Sequence, residues 1–231
     1  MRNAKAIILD TRGNGGGNSE WADRLARAVF TQRVLSSHEP PFYRTGVDWR
    51  ASQGNASYWR KWAEQMKQEF GEDNYRRALR QADKFDAHAG DSQPLVREGS
   101  GSTGTSGGLT QRRPKGGSPF PARVYFLSNG SCGSSCLNFA DTVLFVPGVK
   151  LIGSVTSGDG MLMDVRNEVL PSGLAALVIP QKVARGRGRG HLEVYEPDIA
   201  YDGAWDDASV RSWVMQQVER EAQQASGKAV R

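Results

Sequence analysis

Two glycine-rich segments hold the residues whose types and spacing best suit chemistry. The first, residues 10–17, follows a short apolar run and precedes a helical pattern. Such a loop presents backbone N–H groups at a helix N-terminus, where a developing negative charge is stabilised. It does not complete a dinucleotide fingerprint, because the third glycine position falls on Asn18, and no P-loop Gly-Lys-Ser/Thr follows. Alone, the segment is equally compatible with a tight turn that binds no ligand.

The second segment, residues 128–141, places several serines at the start of a predicted helix. Ser134 follows a strand and a glycine-containing turn. The helix N-terminus would therefore stabilise charge near its hydroxyl, and the next N–H could point at an oxyanion. This is the general geometry of an activated serine on an α/β scaffold. The alternative is that Ser131, Ser134 or Ser135 only caps the helix, and this segment taken alone favours that alternative.

The two cysteines of the chain, Cys132 and Cys136, lie on either side of Ser134. We expect two small buried thiols, because a disulfide at such a short spacing at a helix start would be strained. Two cysteines are also too few for a disulfide framework or a zinc site. The sequence therefore predicts no metal site and no cofactor. A cysteine nucleophile would lack a base just as a serine does.

The elements that would position these segments alternate between strand and helix. This is the order of an α/β fold with a mostly parallel sheet covered by helices. In the first helix, Trp21, Leu25, Ala28 and Val29 recur at helical spacing and are expected to face the core. The remaining expectations are strands at 4–9, 122–128 and 149–152, a helix at 134–146, a hairpin at 161–179 and a final helix capped by Asp206 or Asp207.

Residues 36–118 do not fit this alternation. They comprise an irregular part at 36–53, helical patterns at 56–70 and 74–85, and a Gly/Ser/Thr-rich stretch at 99–118. We interpret residues 36–118 as a helical insertion outside the core sheet. We interpret the stretch at 99–118 as a flexible, dispensable loop that buries almost nothing.

The charge of the chain is mildly basic and is no nucleic-acid signature on its own. The net charge is +5, from 30 Lys and Arg against 25 Asp and Glu, which favours acidic partners. Lys182, Arg185, Arg187 and Arg189 resemble a short arginine-glycine RNA-binding tract, but no aromatic residues interleave them. A solvated loop is therefore expected, with binding of a substrate carboxylate as a further alternative, and no nucleic-acid partner is predicted. The sequence contains no run of about 18 apolar residues, so no membrane span is predicted. The apolar part of the N-terminus is too short for a signal peptide.

Four segments, in this order, resemble the tail-specific (C-terminal-processing) serine protease family, which includes the interphotoreceptor retinoid-binding protein and tricorn protease relatives. They are AKAIILDTRGNGGG at 4–17, VYFLSNGSCGSSCLNFA at 124–140, LIGSVTSG at 151–158 and EPDI at 196–199. The resemblance covers residues 4–35 and 120–220 and leaves residues 36–119 as an insertion with a flexible loop. It implies that residues 1–231 are a catalytic domain with a crotonase-like (ClpP/crotonase-type) α/β core.

The resemblance also implies a set of site residues. Ser134 would be the nucleophile, and the backbone N–H groups of Gly16 and Ser135 would form the oxyanion hole. In one branch of the family a glutamate shortly before the Pro-Asp segment supports the base. Glu193 and Glu196 lie there, and at an odd separation in an extended chain they face opposite sides. We favour Glu193, because the proline after Glu196 restricts its backbone.

The general base is missing from the pattern. One branch of the family uses a lysine in the segment that here reads SGDG at 157–160, and the other uses a histidine from an earlier part of the chain. The only histidines are His38, His88 and His191, and none precedes the first glycine-rich segment. We expect a fragment that lacks an N-terminal part carrying the base, or a protein that has lost it. An export signal in that part would make the protein periplasmic or extracellular.

The sequence thus predicts a serine peptidase. The acyl part of the substrate would be transferred to Ser134, and the resulting acyl enzyme would then be hydrolysed. The substrates would be peptides or proteins, cut near their C-termini. Without the base, the chain alone should show little activity. The first alternative is a binding module that keeps the fold without catalysis. An acyl-CoA enzyme of the crotonase type shares an oxyanion hole but leaves the serine at the helix start unexplained. The sequence does not specify an oligomeric state.

Overall fold

The computed structural model describes residues 4–39, 46–99 and 108–228. The chain forms two compact units, each with its own sheet. The first unit comprises residues 1–40, 109–159 and 192–231, and the second comprises residues 41–108 and 160–191. The expected α/β class with a parallel sheet is confirmed in the first unit, whereas the sheet of the second unit is antiparallel.

The first unit is built on four parallel strands. They are β1 (Ala6–Asp10), β4 (Arg123–Ser128), β5 (Lys150–Gly153) and β8 (Ile199–Ala200), hydrogen-bonded in the order β1-β4-β5-β8. The register sets Asp10 opposite Leu127 and Ser128 opposite Gly153. Because parallel strands end at the same edge of a sheet, the loops that follow β1, β4 and β5 come together there.

Helices cover both faces of this sheet. They are α1 (Ser19–Val29), α2 (Gln32–Ser37) and α5 (Ser135–Val143) on one face and α6 (Asp207–Lys228) on the other. Strand β4 alternates between the two cores, since Phe126 packs with α1 and α5 while Tyr125 and Leu127 pack against α6. Within the described residues, no helix is both long and apolar enough to cross a membrane.

Short polar side chains fix the starts of two of these helices. The Asn18 side chain accepts a hydrogen bond from the N–H of Glu20 at 3.0 Å. Asp206 accepts one from the N–H of Ser209 at 2.9 Å. Each cap satisfies a backbone donor that the helix itself leaves without a partner. Both helix starts predicted from the sequence are therefore confirmed.

The second unit combines an antiparallel sheet with a pair of helices. Its strands are β2 (Gly46–Arg50), β3 (Leu95–Glu98), β6 (Leu162–Val169) and β7 (Ala176–Arg185), in the order β3-β2-β7-β6. The helices α3 (Gln53–Phe70) and α4 (Glu72–His88) pack against each other, joined at Gly71. Trp49 and Phe85 centre its core, with ring centroids 5.7 Å apart. The two helical patterns and the hairpin expected from the sequence are confirmed.

The division of the chain differs from the expected insertion at 36–118. The hairpin of β6 and β7 pairs with β2 and so lies in the second unit, not with the parallel sheet. Strand β2 itself falls in the part expected to be irregular. Its short run holds only two apolar core side chains, Val47 and Trp49, which is too little for a period to be recognised.

Part of the Gly/Ser/Thr-rich stretch is packed. Residues 100–107, in its first half, lie outside the described residues. Leu109, however, is only 1% exposed, and a 3-10 turn follows at Thr110–Arg112. Arg113 pairs with Asp198 at 2.9 Å and donates to the carbonyl of Val149 at 2.9 Å. The expectation that the whole stretch buries almost nothing is therefore wrong for these residues.

The arginines expected in a solvated loop are buried in the second unit. Arg187 and Arg189 are 5% and 1% exposed. Arg187 donates to the carbonyl of Gly160 at 3.1 Å, and Arg185 pairs with Asp48 at 2.9 Å. A guanidinium carries five donors in a fixed fork, so backbone carbonyls and a carboxylate can satisfy it away from water. The sequence holds no local sign of such distant acceptors.

Candidate active site

Ser134 lies at the point where the chain turns from β4 into α5. It occupies the N-cap position of α5 with φ 50° and ψ −119°, yet its side chain makes no capping hydrogen bond. Its hydroxyl is exposed. A non-glycine residue at positive φ costs about 1–3 kcal/mol and persists where its surroundings hold it. The helix-cap interpretation of Ser134 therefore fails, and the hydroxyl is presented at the surface by a strained turn.

A disulfide spans this turn. Cys132 and Cys136 are bonded, with their Cα atoms 5.2 Å apart, and both are buried. The expectation of two free thiols is wrong. It took a four-residue spacing at a helix start to be strained, but Cys132 lies in the loop before α5, and the turn brings the two Cα atoms within the ordinary disulfide range of about 4.4–6.8 Å. The bridge closes a ring that contains Ser134.

Backbone hydrogen bonds attach the same turn to its neighbours at the sheet edge. Gly133 donates its N–H to the carbonyl of Asn14 at 3.3 Å. The carbonyl of Cys132 accepts from the N–H of Ser157, in the loop after β5, at 3.1 Å. Loops from three strands therefore hold the turn that carries Ser134. Ser157 was missed in the sequence, although its place after a parallel strand was a usable signal.

The first glycine-rich segment is anchored to β4 and the loop after it. Thr11 donates both its N–H and its hydroxyl to the carbonyl of Leu127, at 2.9 and 2.8 Å. Gly13 donates to the side chain of Asn129 at 3.1 Å. Burial alone would raise the pKa of Asp10, but hydrogen bonds from the Arg12 side chain and N–H outweigh it and hold that pKa below its ordinary value. Asp10 is therefore a carboxylate anion that is ion-paired with Arg12.

Gly16 approaches Ser134 closely. A Cβ placed on Gly16 would lie 2.7 Å from Ser134 Cβ and 3.2 Å from Ser134 Oγ. Gly16 also has φ 119°, which only glycine adopts without strain. The two glycine-rich segments therefore meet at one point. They are far apart in the sequence, since Thr11 and Leu127, which are hydrogen-bonded, are separated by 116 residues. No side chain larger than a hydrogen atom fits between them.

The two N–H groups expected to form the oxyanion hole, those of Gly16 and Ser135, differ in their hydrogen bonding. Ser135 is the first residue of α5, where a backbone N–H has no intrahelical acceptor and the helix dipole favours negative charge. The N–H of Gly16 instead donates to the side-chain oxygen of Asn14 at 3.0 Å. For Gly16 to serve an oxyanion, Asn14 must release that hydrogen bond. Nothing in the sequence indicated this competition between Asn14 and an oxyanion for the N–H of Gly16.

A cavity of about 250 Å³ lies beside these donors. Gly16, Ser135 and Cys136 border it, and one wall is helix α1. Trp21 and Leu25 line that wall and are 54% and 44% exposed. The expectation that both side chains face the core is wrong. Their helical spacing was recognised correctly, but the space that they face is open rather than filled.

Glu193 is held by a neighbouring turn. One carboxylate oxygen accepts from the N–H of Thr110 at 2.8 Å and from its hydroxyl at 2.6 Å. Glu196, the rival candidate, is exposed. The bonds from Thr110 give Glu193 a structural task that the sequence did not indicate, because Thr110 lies in the stretch expected to be flexible.

No candidate base is hydrogen-bonded to the Ser134 hydroxyl in the described part of the chain. The Nδ1 atom of His38 lies 2.8 Å from the carbonyl of Val34, and that of His88 lies 2.8 Å from Asp91. His191 is exposed and belongs to the second unit. Within the described residues, neither a histidine nor a lysine bonds to Ser134 Oγ, so the strained serine and the candidate oxyanion donors come without a proton acceptor.

Comparison with known proteins gave one family and several solved structures. The family model described as Peptidase family S41 matches residues 1–201. A structure solved as that of a candidate peptidase from Parabacteroides merdae is 15% identical with TM-score 0.40, covering 93% of this chain and 52% of the other. A lipoprotein from Streptococcus agalactiae (18%, TM-score 0.26) covers 42% and 32%, and mature CPAF (13%, TM-score 0.39) covers 85% and 39%. This chain thus spans about half or less of their lengths, and no curated protein matches it.

Proposed function

This chain belongs to peptidase family S41, a family of serine peptidases, and from that premise we propose that its first unit carries the nucleophile and oxyanion hole of a peptide-bond hydrolase. The observation that carries the proposal is the close approach of the Gly16 backbone to Ser134. A Cβ added at Gly16 would lie only 3.2 Å from Ser134 Oγ. Such an approach puts a loop N–H, a helix N-terminus and an exposed hydroxyl around one point.

The chemistry would follow from these groups. Ser134 Oγ attacks the carbonyl carbon of the scissile peptide bond, and the carbonyl oxygen becomes an anion. The N–H of Ser135 donates to that anion, and the N–H of Gly16 joins it once Asn14 has released its bond. The step is complete only with a base, which the described residues do not supply: it would take the proton from Ser134 Oγ and give it to the leaving amine. In the second half of the reaction, water attacks the acyl enzyme in the same way, the same N–H groups stabilise the oxyanion, and the Ser134 hydroxyl is released.

The finer fold assignment rests on the same edge of the sheet. We propose a crotonase-like core for the first unit. Support comes from its fully parallel sheet and from the way that the loops after β1 and β4 meet at the carboxyl ends of their strands.

Glu193 is proposed as the residue that positions a histidine base. In favour of this role, its carboxylate is fixed in place by two hydrogen bonds from Thr110. A carboxylate that orients a base acts through geometry and need not touch the substrate. With no base bonded to Ser134 among the described residues, we expect acylation by this chain alone to be slow, since a positioned base contributes about 10²–10⁴-fold.

The missing base also favours a second candidate function. A protein that keeps the fold and the binding surface without turnover would have no need of a proton acceptor at Ser134. The peptide-binding surface would then be the functional feature, and the strained serine would be a remnant of the family's chemistry.

Labelling with an alkyl fluorophosphonate separates the two functions. We expect wild-type protein to be modified at one site, with the modification lost in Ser134→Ala and retained in Ser131→Ala, an exposed serine of the same turn. Peptide mapping locates the adduct. Equal labelling of wild type and Ser134→Ala would overturn the nucleophile, and no labelling of folded wild type would favour the binding module.

A further inference from the structure

The cavity beside the oxyanion donors has the size of a side-chain subsite. Its volume is about 250 Å³, below the range of about 300–1,000 Å³ typical of sites for drug-sized molecules. Gly16 and Ser135 border it. A group whose carbonyl oxygen is bound by the N–H of Ser135 would therefore have its adjacent carbon at the edge of the cavity.

The walls of the cavity are mostly apolar. Leu9 from β1 and Phe139 from α5 line it, and α1 contributes three residues. Those three are Trp21, Ala22 and Leu25, one helical turn of small and large apolar side chains. Exposed apolar groups gathered in a concave surface are typical of a binding site rather than of solvated surface.

The polar groups at the edge of the cavity offer no charge for a substrate to pair with. Asp10 lies there, but it forms an ion pair with Arg12 at 2.8 Å. Asn14 and Asn18 are neutral, and their side-chain oxygens accept backbone N–H groups. A lysine or arginine side chain in this cavity would lose water without gaining a free anion.

We propose that this cavity binds the side chain of the substrate residue on the acyl side of the scissile bond and selects an uncharged aliphatic or aromatic one. The proposal rests on the proposed function, because it takes the acyl group to be held at Ser135 and attacked by Ser134. Ala22 and Leu25 are its specificity-determining residues. Ala22, the smallest side chain of the wall, leaves the room that the substrate side chain occupies.

The size of the preference follows from the buried area. Burying a leucine or phenylalanine side chain favours binding by about 10- to 100-fold over a side chain left in water. A leucine-ending ligand should therefore bind at least about tenfold more tightly than its lysine or alanine counterpart. Ala22→Phe should fill the cavity and remove that preference.

Equilibrium binding tests the subsite without any need for turnover. The probes are acetyl-Ala-Ala-Leu-amide, acetyl-Ala-Ala-Lys-amide and acetyl-Ala-Ala-Ala-amide, titrated into Ser134→Ala protein and followed by NMR. We expect the leucine peptide to bind most tightly, Ala22→Phe to abolish its advantage, and Ala28→Phe to leave it unchanged. Ala28 is an exposed alanine of the same helix that does not line the cavity, so it controls for a bulky substitution on α1.

Each outcome decides the question. Equal affinities for the three peptides, no detectable binding of the leucine peptide at millimolar concentration, or an unchanged preference in folded Ala22→Phe would overturn the proposal. A plain alkyl fluorophosphonate is run in parallel on wild-type protein. Its failure to label Ser134 would count against the proposed peptidase, while leucine-selective binding would still establish the subsite.

Discussion

Replacing Gly16 by alanine tests the contact on which the proposed site depends. The new Cβ would stand 2.7 Å from Ser134 Cβ and 3.1 Å from the carbonyl of Gly133. Separations below about 3 Å between carbon atoms are repulsive, so either the glycine-rich segment or the turn carrying Ser134 must move. In addition, φ 119° is strained for alanine. The substitution therefore combines backbone strain with a steric clash.

The two adjacent glycines separate these effects. Gly17 has φ 127° but nothing within 4 Å of an added Cβ, so Gly17→Ala introduces strain alone. Gly15 has neither a close neighbour within 4 Å nor a positive φ, so Gly15→Ala introduces neither effect. Strain costs about 1–3 kcal/mol, and overpacking adds about 1–3 kcal/mol more. We expect the free energy of unfolding to fall by about 2–6 kcal/mol in Gly16→Ala and about 1–3 kcal/mol in Gly17→Ala, and to change by less than about 1 kcal/mol in Gly15→Ala.

Two assays follow the three variants. Urea denaturation gives the free energies of unfolding, and the fluorophosphonate labelling rate reports the position of Ser134. A displacement of about 1 Å costs about 10²-fold in reactivity, so labelling should slow by that order in folded Gly16→Ala and much less in Gly17→Ala. If Gly16→Ala matches Gly17→Ala in both stability and labelling, the close approach does not exist in solution and the argument for the site fails.

Three further changes test other parts of the first unit. Replacing Cys132 and Cys136 together by alanine, or reducing their disulfide, should lower stability by about 2 kcal/mol and slow Ser134 labelling; an unchanged thermal midpoint and rate would show that the bridge does not hold the turn. Burial and the hydrogen bond to Glu221 raise the pKa of Tyr125, so its stabilisation is full below its ordinary pKa of about 10 and is lost as the pH rises further. The stability difference between wild type and Tyr125→Phe should thus be constant from about pH 6 to 9 and shrink above about pH 10, and a flat difference would contradict this. Glu193→Ala should cost about 1–3 kcal/mol in urea denaturation, and Glu193→Gln less, because the amide oxygen still accepts both bonds from Thr110.

The sequence predicted best what short stretches determine. The Asn18 cap and the helices α3 and α4 follow from local caps and periods, and the structure has them at nearly the expected positions. The turn from β4 into α5 was also recognisable, because a serine at the start of a helix after a strand is a local pattern.

What the sequence did not predict depends on distant partners. The burial of Arg189 needs acceptors that no nearby residue announces, and the packing of Leu109 needs a core built from other parts of the chain. The bond between Gly16 and Asn14 was missed because an asparagine in a glycine-rich turn has several possible acceptor roles. The disulfide was missed because the path of the turn before α5, which brings Cys132 back towards Cys136, has no local sequence pattern that announces it.

The pairing of β1 with β4 has a consequence for the order in which the protein folds. Thr11 bonds to Leu127 across 116 residues, whereas α3 and α4 pack against each other as neighbours in sequence. Contacts between neighbours in sequence form fast. Pairing of distant parallel strands is slow, because the chain must lose the entropy of a long loop before the contacts between the strands can stabilise it. On the ribosome, the edge of β1 therefore waits without its partner until β4 has emerged. The approach of Gly16 to Ser134 needs that pairing, so it forms among the later contacts of the first unit.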